Sequence, residues 1–145
     1  MRKLGLDIGD KRIGIAVSDA LNITANTKGF IKRTDHRKDL KEIKNYIKEY
    51  NIGELIVGLP KNMDGSIGLQ AEKTKQYVNF LKNNLDIPVK MWDERLSSRE
   101  AEKLLIKADV SRQKRKKVID GVAASIILQG YLDMKKNKKG GLNNE

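Results

Sequence analysis

Cysteine is absent from this 145-residue chain, histidine occurs once and proline twice. Without thiols there is no disulfide framework and no thiolate metal site, which fits a reducing compartment. With His36 as the single histidine, a zinc centre lacks ligands. Aromatic residues make up 5%, which leaves a base-stacking platform poorly supplied. No apolar run approaches membrane-spanning length, and the N-terminus enters a strand pattern with no apolar signal core. A cytoplasmic protein with no membrane partner is therefore expected. No internal repeat or interdomain linker breaks the chain. Residues 1–134 read as one domain, and Lys135 to Glu145, rich in Lys, Asn and Gly, as a disordered basic tail. A domain of this size buries roughly 70% of the surface its unfolded chain exposes.

What the chain has in excess is positive charge, +11 at neutral pH with a pI near 9.8. Basic clusters fall at Lys11-Arg12, Lys32-Arg33, Arg37-Lys38 and, most densely, Arg112 to Lys117. Such an excess favours a polyanionic partner, most often nucleic acid. The alternative is a solvated, lysine-rich surface with no partner.

The apolar pattern is that of an α/β protein. Leu4, Leu6 and Ile8 alternate with Gly5, Asp7 and Gly9, and Ile13, Ile15 and Val17 alternate with Gly14, Ala16 and Ser18. These predict two strands joined by a short polar turn. A third, weaker strand is expected between Ile23 and Ile31. Leu40, Ile43, Ile47 and Tyr50 fit a helix face. Glu54 to Leu59 reads as a strand, and Asp64-Gly65 marks a turn. A helix carrying Val78, Leu81 and Leu85 follows, then a strand from Ile87 to Trp92. Ser97-Ser98-Arg99-Glu100 has the form of a capping box opening another helix. Ser111 stands where a last helix would begin, running to about Met134. The order β-β-β-α-β-α-β-α-α predicts a mixed five-stranded sheet, because the later strands alternate with helices and need parallel crossovers.

Asp7 is out of place in this pattern. A carboxylate inside an apolar strand is costly without compensation. Its same-face neighbours would be Gly5, Gly9, Gly14, Ala16 and Ser18, all small, so a ligand, a metal or a packed helix could approach closely. Glu94 follows the last predicted strand, where sites of α/β sheets gather, although acids there also suit a helix N-terminus. Asp120 shares a helix face with Ala123, Ala124, Ile127 and Tyr131 and could point at the sheet or pair with Lys116 or Lys117. Asp7, Glu94 and Asp120 together make a candidate oxygen-ligand site for Mg²⁺ or Mn²⁺. Two such ions about 4 Å apart support phosphodiester hydrolysis.

At these residues the chain resembles the YqgF family, pre-16S rRNA nucleases of ribonuclease H-like fold related to Holliday-junction resolvases. The resemblance rests on D-x-G-x-K-R-x-G-x-A-x-S-D at Asp7 to Asp19, G-L-P at Gly58 to Pro60 and D-G-S at Asp64 to Ser66. D-E-R-L-S-S at Asp93 to Ser98 and D-x-x-A-A at Asp120 to Ala124 complete it. Ser98 stands where the family commonly has Thr, which keeps the hydroxyl. The resemblance implies a metal-binding catalytic triad of Asp7, Glu94 and Asp120. It implies metal-dependent hydrolysis of a phosphodiester in 5′-end maturation of 16S ribosomal RNA; a monomer or weak homodimer is expected. Lys11, Arg12, Arg95, Arg112, Lys114, Arg115, Lys116 and Lys117 would hold phosphates of the RNA precursor or another nucleic acid. A resolvase acting on branched DNA would use the same acids, and a non-catalytic nucleic-acid-binding factor would need none of them. The Asp7-x-Gly9 hairpin also resembles the phosphate loop of sugar kinases and chaperone ATPases. Those use two such domains, and this chain has neither the length nor a second D-x-G hairpin.

Overall fold

Alternation in the first eighteen residues produces the hairpin it predicts. In the computed structural model, which describes residues 1–60, 68–93 and 122–136, β1 (Arg2–Ile8) pairs antiparallel with β2 (Arg12–Ser18). β2 pairs antiparallel with β3 (Ala25–Lys32). α1 (His36–Glu49) then crosses to β4 (Ile52–Leu59), parallel to β1, and α2 (Leu69–Asn84) crosses to β5 (Val89–Asp93), parallel to β4. The strands lie in the order β3-β2-β1-β4-β5, so β1 is central and flanked by both kinds of pairing. This is the expected mixed five-stranded sheet. Residues 122–136 form a further helix. The turn at Asp64-Gly65, the helix expected after the capping box at Ser97 and the beginning of the last helix lie outside the described residues.

α1 begins at His36, four residues before its apolar stripe, because Asp35 caps it by accepting a hydrogen bond from the Lys38 amide at 2.9 Å. The two sheet faces are covered differently. Leu4, Leu6, Ile13, Ile15, Leu55 and Val57 pack beneath α1 and α2 with Ile43, Val78 and Leu81. The opposite face offers Ala16 and Ile56 to the helix over 122–136, through Ala124, Ile127, Leu128 and Tyr131. That helix continues to Lys136, two residues into the segment expected as tail, with the Lys135 ammonium 5.8 Å from the centre of the Tyr131 ring one turn earlier. Among the described residues no helix is long and apolar enough to cross a membrane.

Candidate nuclease site

Asp7 stands near the C-terminal end of the central strand, opposite Gly14 of β2 and on the face away from α1 and α2. It is half-buried. The small residues around it have separate causes. At Gly5 an added Cβ would lie 2.8 Å from Leu128 Cβ and 3.1 Å from the Ala124 carbonyl oxygen, so the helix over 122–136 sits directly on the strand there. Ala16 is buried under the same helix. The Ser18 hydroxyl accepts from the Lys3 amide at 2.8 Å and donates to Asn22 Oδ1 at 2.6 Å. The half of the floor N-terminal to Asp7 on β1 is thus helix packing and strand fastening, and Asp7 lies one residue pair beyond it.

Two sets of polar contacts fasten that helix. Glu54 on β4 is buried, yet its carboxylate accepts from Tyr131 Oη at 2.8 Å and pairs with Lys90 at 2.8 Å and Lys3 at 3.2 Å. Burial alone would raise the Glu54 carboxyl. The hydrogen bonds from Lys90, Tyr131 and Lys3 outweigh it and hold the group at about 2. Gln129 meanwhile accepts from the Ala25 amide and donates to the Ile23 carbonyl, both at 2.9 Å, tying the helix to the start of β3. Ala124 abuts Gly5 while Tyr131 reaches the level of Lys3 and Glu54, so the helix descends antiparallel to β1.

The turn after β1 carries two of the expected phosphate-binding residues. Lys11 is exposed, and its carbonyl accepts from the Arg33 amide at 2.9 Å. The Arg12 guanidinium lies over the Phe30 ring, 5.4 Å from its centre. Arg33 braces this turn by donating from Nη1 to the Gly9 carbonyl at 2.7 Å, and its Nε lies 3.7 Å from the buried Asp39 carboxylate. Asp39, Arg33, His36, Lys73, Asp10 and Tyr77 contribute to a cleft of about 430 Å³ on the α1/α2 side. Burial, and after it the Asp39 charge, push the Tyr77 phenol well above its ordinary range. The sequence reading missed Asp39 because an acid in the first turn of a helix also suits the macrodipole. Its position four residues after Asp35 was the available signal.

Of the predicted triad, only Asp7 lies within the described residues. Glu94, Asp120, Arg95, Arg112, Lys114, Arg115, Lys116 and Lys117 lie outside them. Accordingly, among the described residues no three acids or histidines form a metal-binding group. His36, the one histidine, packs edge-on to Tyr77 and tilted against Phe80, on the other side of the sheet from Asp7.

Comparison with known proteins places this geometry in a family. The chain matches the RuvX family model, described as Holliday junction resolvase, over residues 1–134. A protein named "Putative pre-16S rRNA nuclease" from Halothermothrix orenii is 60% identical over 133 residues, spanning 92% of this chain and 95% of that one. A protein of the same name from Clostridioides difficile is 54% identical over 136 residues, spanning 94% and 96%. Among solved structures, T. thermophilus RuvC bound to a Holliday junction aligns over 94% of this chain and 96% of that one, with TM-score 0.54 and 13% identity. Fowlpox virus resolvase bound to junction DNA aligns over 92% and 98%, with TM-score 0.56 and 14% identity. At these identities the structures show a shared fold, the RuvC-like ribonuclease H arrangement expected from the motifs. With its family model running from Met1 to Met134 and relatives more than half identical along nine-tenths of its length, the chain belongs to the RuvX family.

Proposed function

We propose that this protein is a metal-dependent endonuclease that hydrolyses phosphodiester bonds in 5′-end maturation of pre-16S ribosomal RNA. The observation that carries this reading is the position of Asp7, an acid on the central strand of a ribonuclease H-like sheet, in a family whose close relatives bear the pre-16S rRNA nuclease name. Connectivity supports the rest of the triad. β5 ends at Asp93, paired with Leu59 at the same end of the sheet as Asp7, and Glu94 is the next residue. Asp120 is four residues before Ala124, whose carbonyl abuts Gly5. Consecutive Cα atoms are about 3.8 Å apart, so connectivity allows both acids to reach that end of the sheet.

The donor set fits a hard divalent cation. Carboxylates are the available ligands, cysteine is absent, and His36 is on the far face. Asp7, Glu94 and Asp120 would hold Mg²⁺ or Mn²⁺, which when bound supplies Lewis acidity and a more acidic water. Lys11 and Arg12, presented by a turn that Arg33 braces, hold the phosphates of the substrate on the strand end. Arg95 and the basic run from Arg112 to Lys117 would add further phosphate contacts. These contacts supply affinity and register. The cytoplasm, where precursor ribosomal RNA resides in bacteria, is the expected compartment.

The test is cleavage of a pre-16S rRNA fragment, a single-stranded DNA and a four-way DNA junction, with Mg²⁺ or Mn²⁺ supplied. The wild type cuts the rRNA precursor, and Asp7→Asn reduces this to background with an unchanged melting curve. Equal rates for the two proteins remove Asp7 from the site. Preferred cutting of the four-way junction transfers the reading to resolvase.

A further inference from the structure

β3 is an edge strand whose middle is exposed. Its first half pairs Ala25 with Ser18, Asn26 with Val17 and Thr27 with Ala16. Its second half pairs Gly29 with Ile15, Phe30 with Gly14 and Ile31 with Ile13. Lys28 falls between the two registers as the extra residue of a β-bulge. Gly29 has φ 89°, and nothing lies within 4 Å of an added Cβ, so glycine is there for its backbone conformation. A one-residue bulge sends every later side chain to the opposite face. Without it, Phe30 would oppose Ile13 on the core face, and Ile31 would oppose Arg12. With it, Ile31 is 4% exposed in the core, and Phe30 joins the cross-strand row Phe30–Gly14–Asp7.

Phe30 is consequently a large ring that remains 37% exposed on the face of Asp7. Its exposed apolar area is stabilisation that the fold forgoes. Two strand spacings separate it from Asp7, on the order of 10 Å between Cα atoms. The Arg12 guanidinium stacks over the ring, and Lys32, paired with Arg12, shares that face. An aromatic ring carrying a planar cation offers one surface to a base and donors to a phosphate.

We infer that Phe30 and Arg12 form a platform for an unpaired nucleotide flanking the bond cut at Asp7. The inference rests on the nuclease reading and deepens it, because a base within a continuous duplex has no free face for such a platform. The substrate is therefore single-stranded on at least one side of the cut. Strand addition by a protein partner along β3 is disfavoured, since the bulge and the exposed Lys28 and Lys32 interrupt the edge.

Binding is tested in an Asp7→Asn background, which separates it from cleavage. The probes are a single-stranded RNA containing 2-aminopurine and a hairpin duplex of the same composition. Phe30→Leu weakens single-strand binding about 10-fold, leaves duplex binding unchanged and abolishes 2-aminopurine quenching. Phe30→Trp restores both affinity and quenching. Equal weakening on both probes, no weakening on either, or no recovery with tryptophan overturns the platform. If the wild type cuts no RNA while the Phe30 effect stands, the nuclease reading fails and the platform survives. If cutting occurs without a Phe30 effect, only the platform fails.

Discussion

The two faces of the sheet are built on opposite principles. Beneath α1 and α2, branched aliphatic side chains interdigitate, and the charge buried on that side, Asp39 beside Arg33, comes from the first turn of α1 and the residue after β3. On the other face Gly5 and Ala16 let a helix approach at backbone distance, the buried Glu54 pairs with two lysines and a tyrosine, and Asp7, Arg12 and Phe30 stay accessible at its end. The first face gains its stability from apolar area. The second gives up some of that area and keeps polar groups where they can meet a ligand. A sheet can afford this division when one face alone supplies a continuous core.

Substitutions on each face break the comparison in different currencies. Leu6→Ala, on the aliphatic face, removes a fully buried side chain and lowers unfolding free energy by about 3 kcal/mol. In denaturant melts it is the most damaging change, yet cleavage per folded molecule persists. Gly5→Val, on the other face, forces two methyl groups against Leu128 and the Ala124 carbonyl and costs about 2 kcal/mol. It lifts the helix from the sheet, so cleavage falls further than the fraction unfolded accounts for. Activity that tracks stability alone in Gly5→Val would show that the helix position does not matter to the site.

Glu54→Gln has the smallest effect and sharpens the comparison by pH. The folded carboxyl at about 2 lies below the ordinary 4.5, so the charge network stabilises the protein fully above pH 4.5. Its contribution is lost as pH falls from 4.5 towards 2. Near neutral pH the variant is less stable by about 1 kcal/mol, and the gap closes on acidification. Thermal melts at a series of pH values check this. A gap that stays constant down to pH 2 would mean that Glu54 acts by packing.

Much of this was readable in advance, for local reasons. Period-two alternation produced β1 and β2, and the stripe from Leu40 to Tyr50 produced α1, whose cap at Asp35 the structure added. The acid at Asp7 stood out because its strand neighbours are apolar or small. The small residues themselves were ambiguous, since a bare floor suits a packed helix as well as a ligand, and Gly5 and Ala16 proved to serve the helix. Glu54 looked like the polar start of a strand, and nothing near it in sequence signalled Tyr131, 77 residues away. Phe30 followed a glycine inside a weak strand, a mark of a bulge. Which face the bulge gave it depended on the partner strand.

By itself, the sequence determined the order and type of the described elements, the aliphatic core and the presence of one misplaced acid, because these follow from periodicity and side-chain chemistry over a few residues. The tertiary structure decided the strand order, the helix seated on Gly5, the Glu54–Tyr131 contact and the turn of Phe30 towards Asp7. Each of these depends on the register between segments distant in the chain, and register is a property of the packed pair rather than of either strand alone.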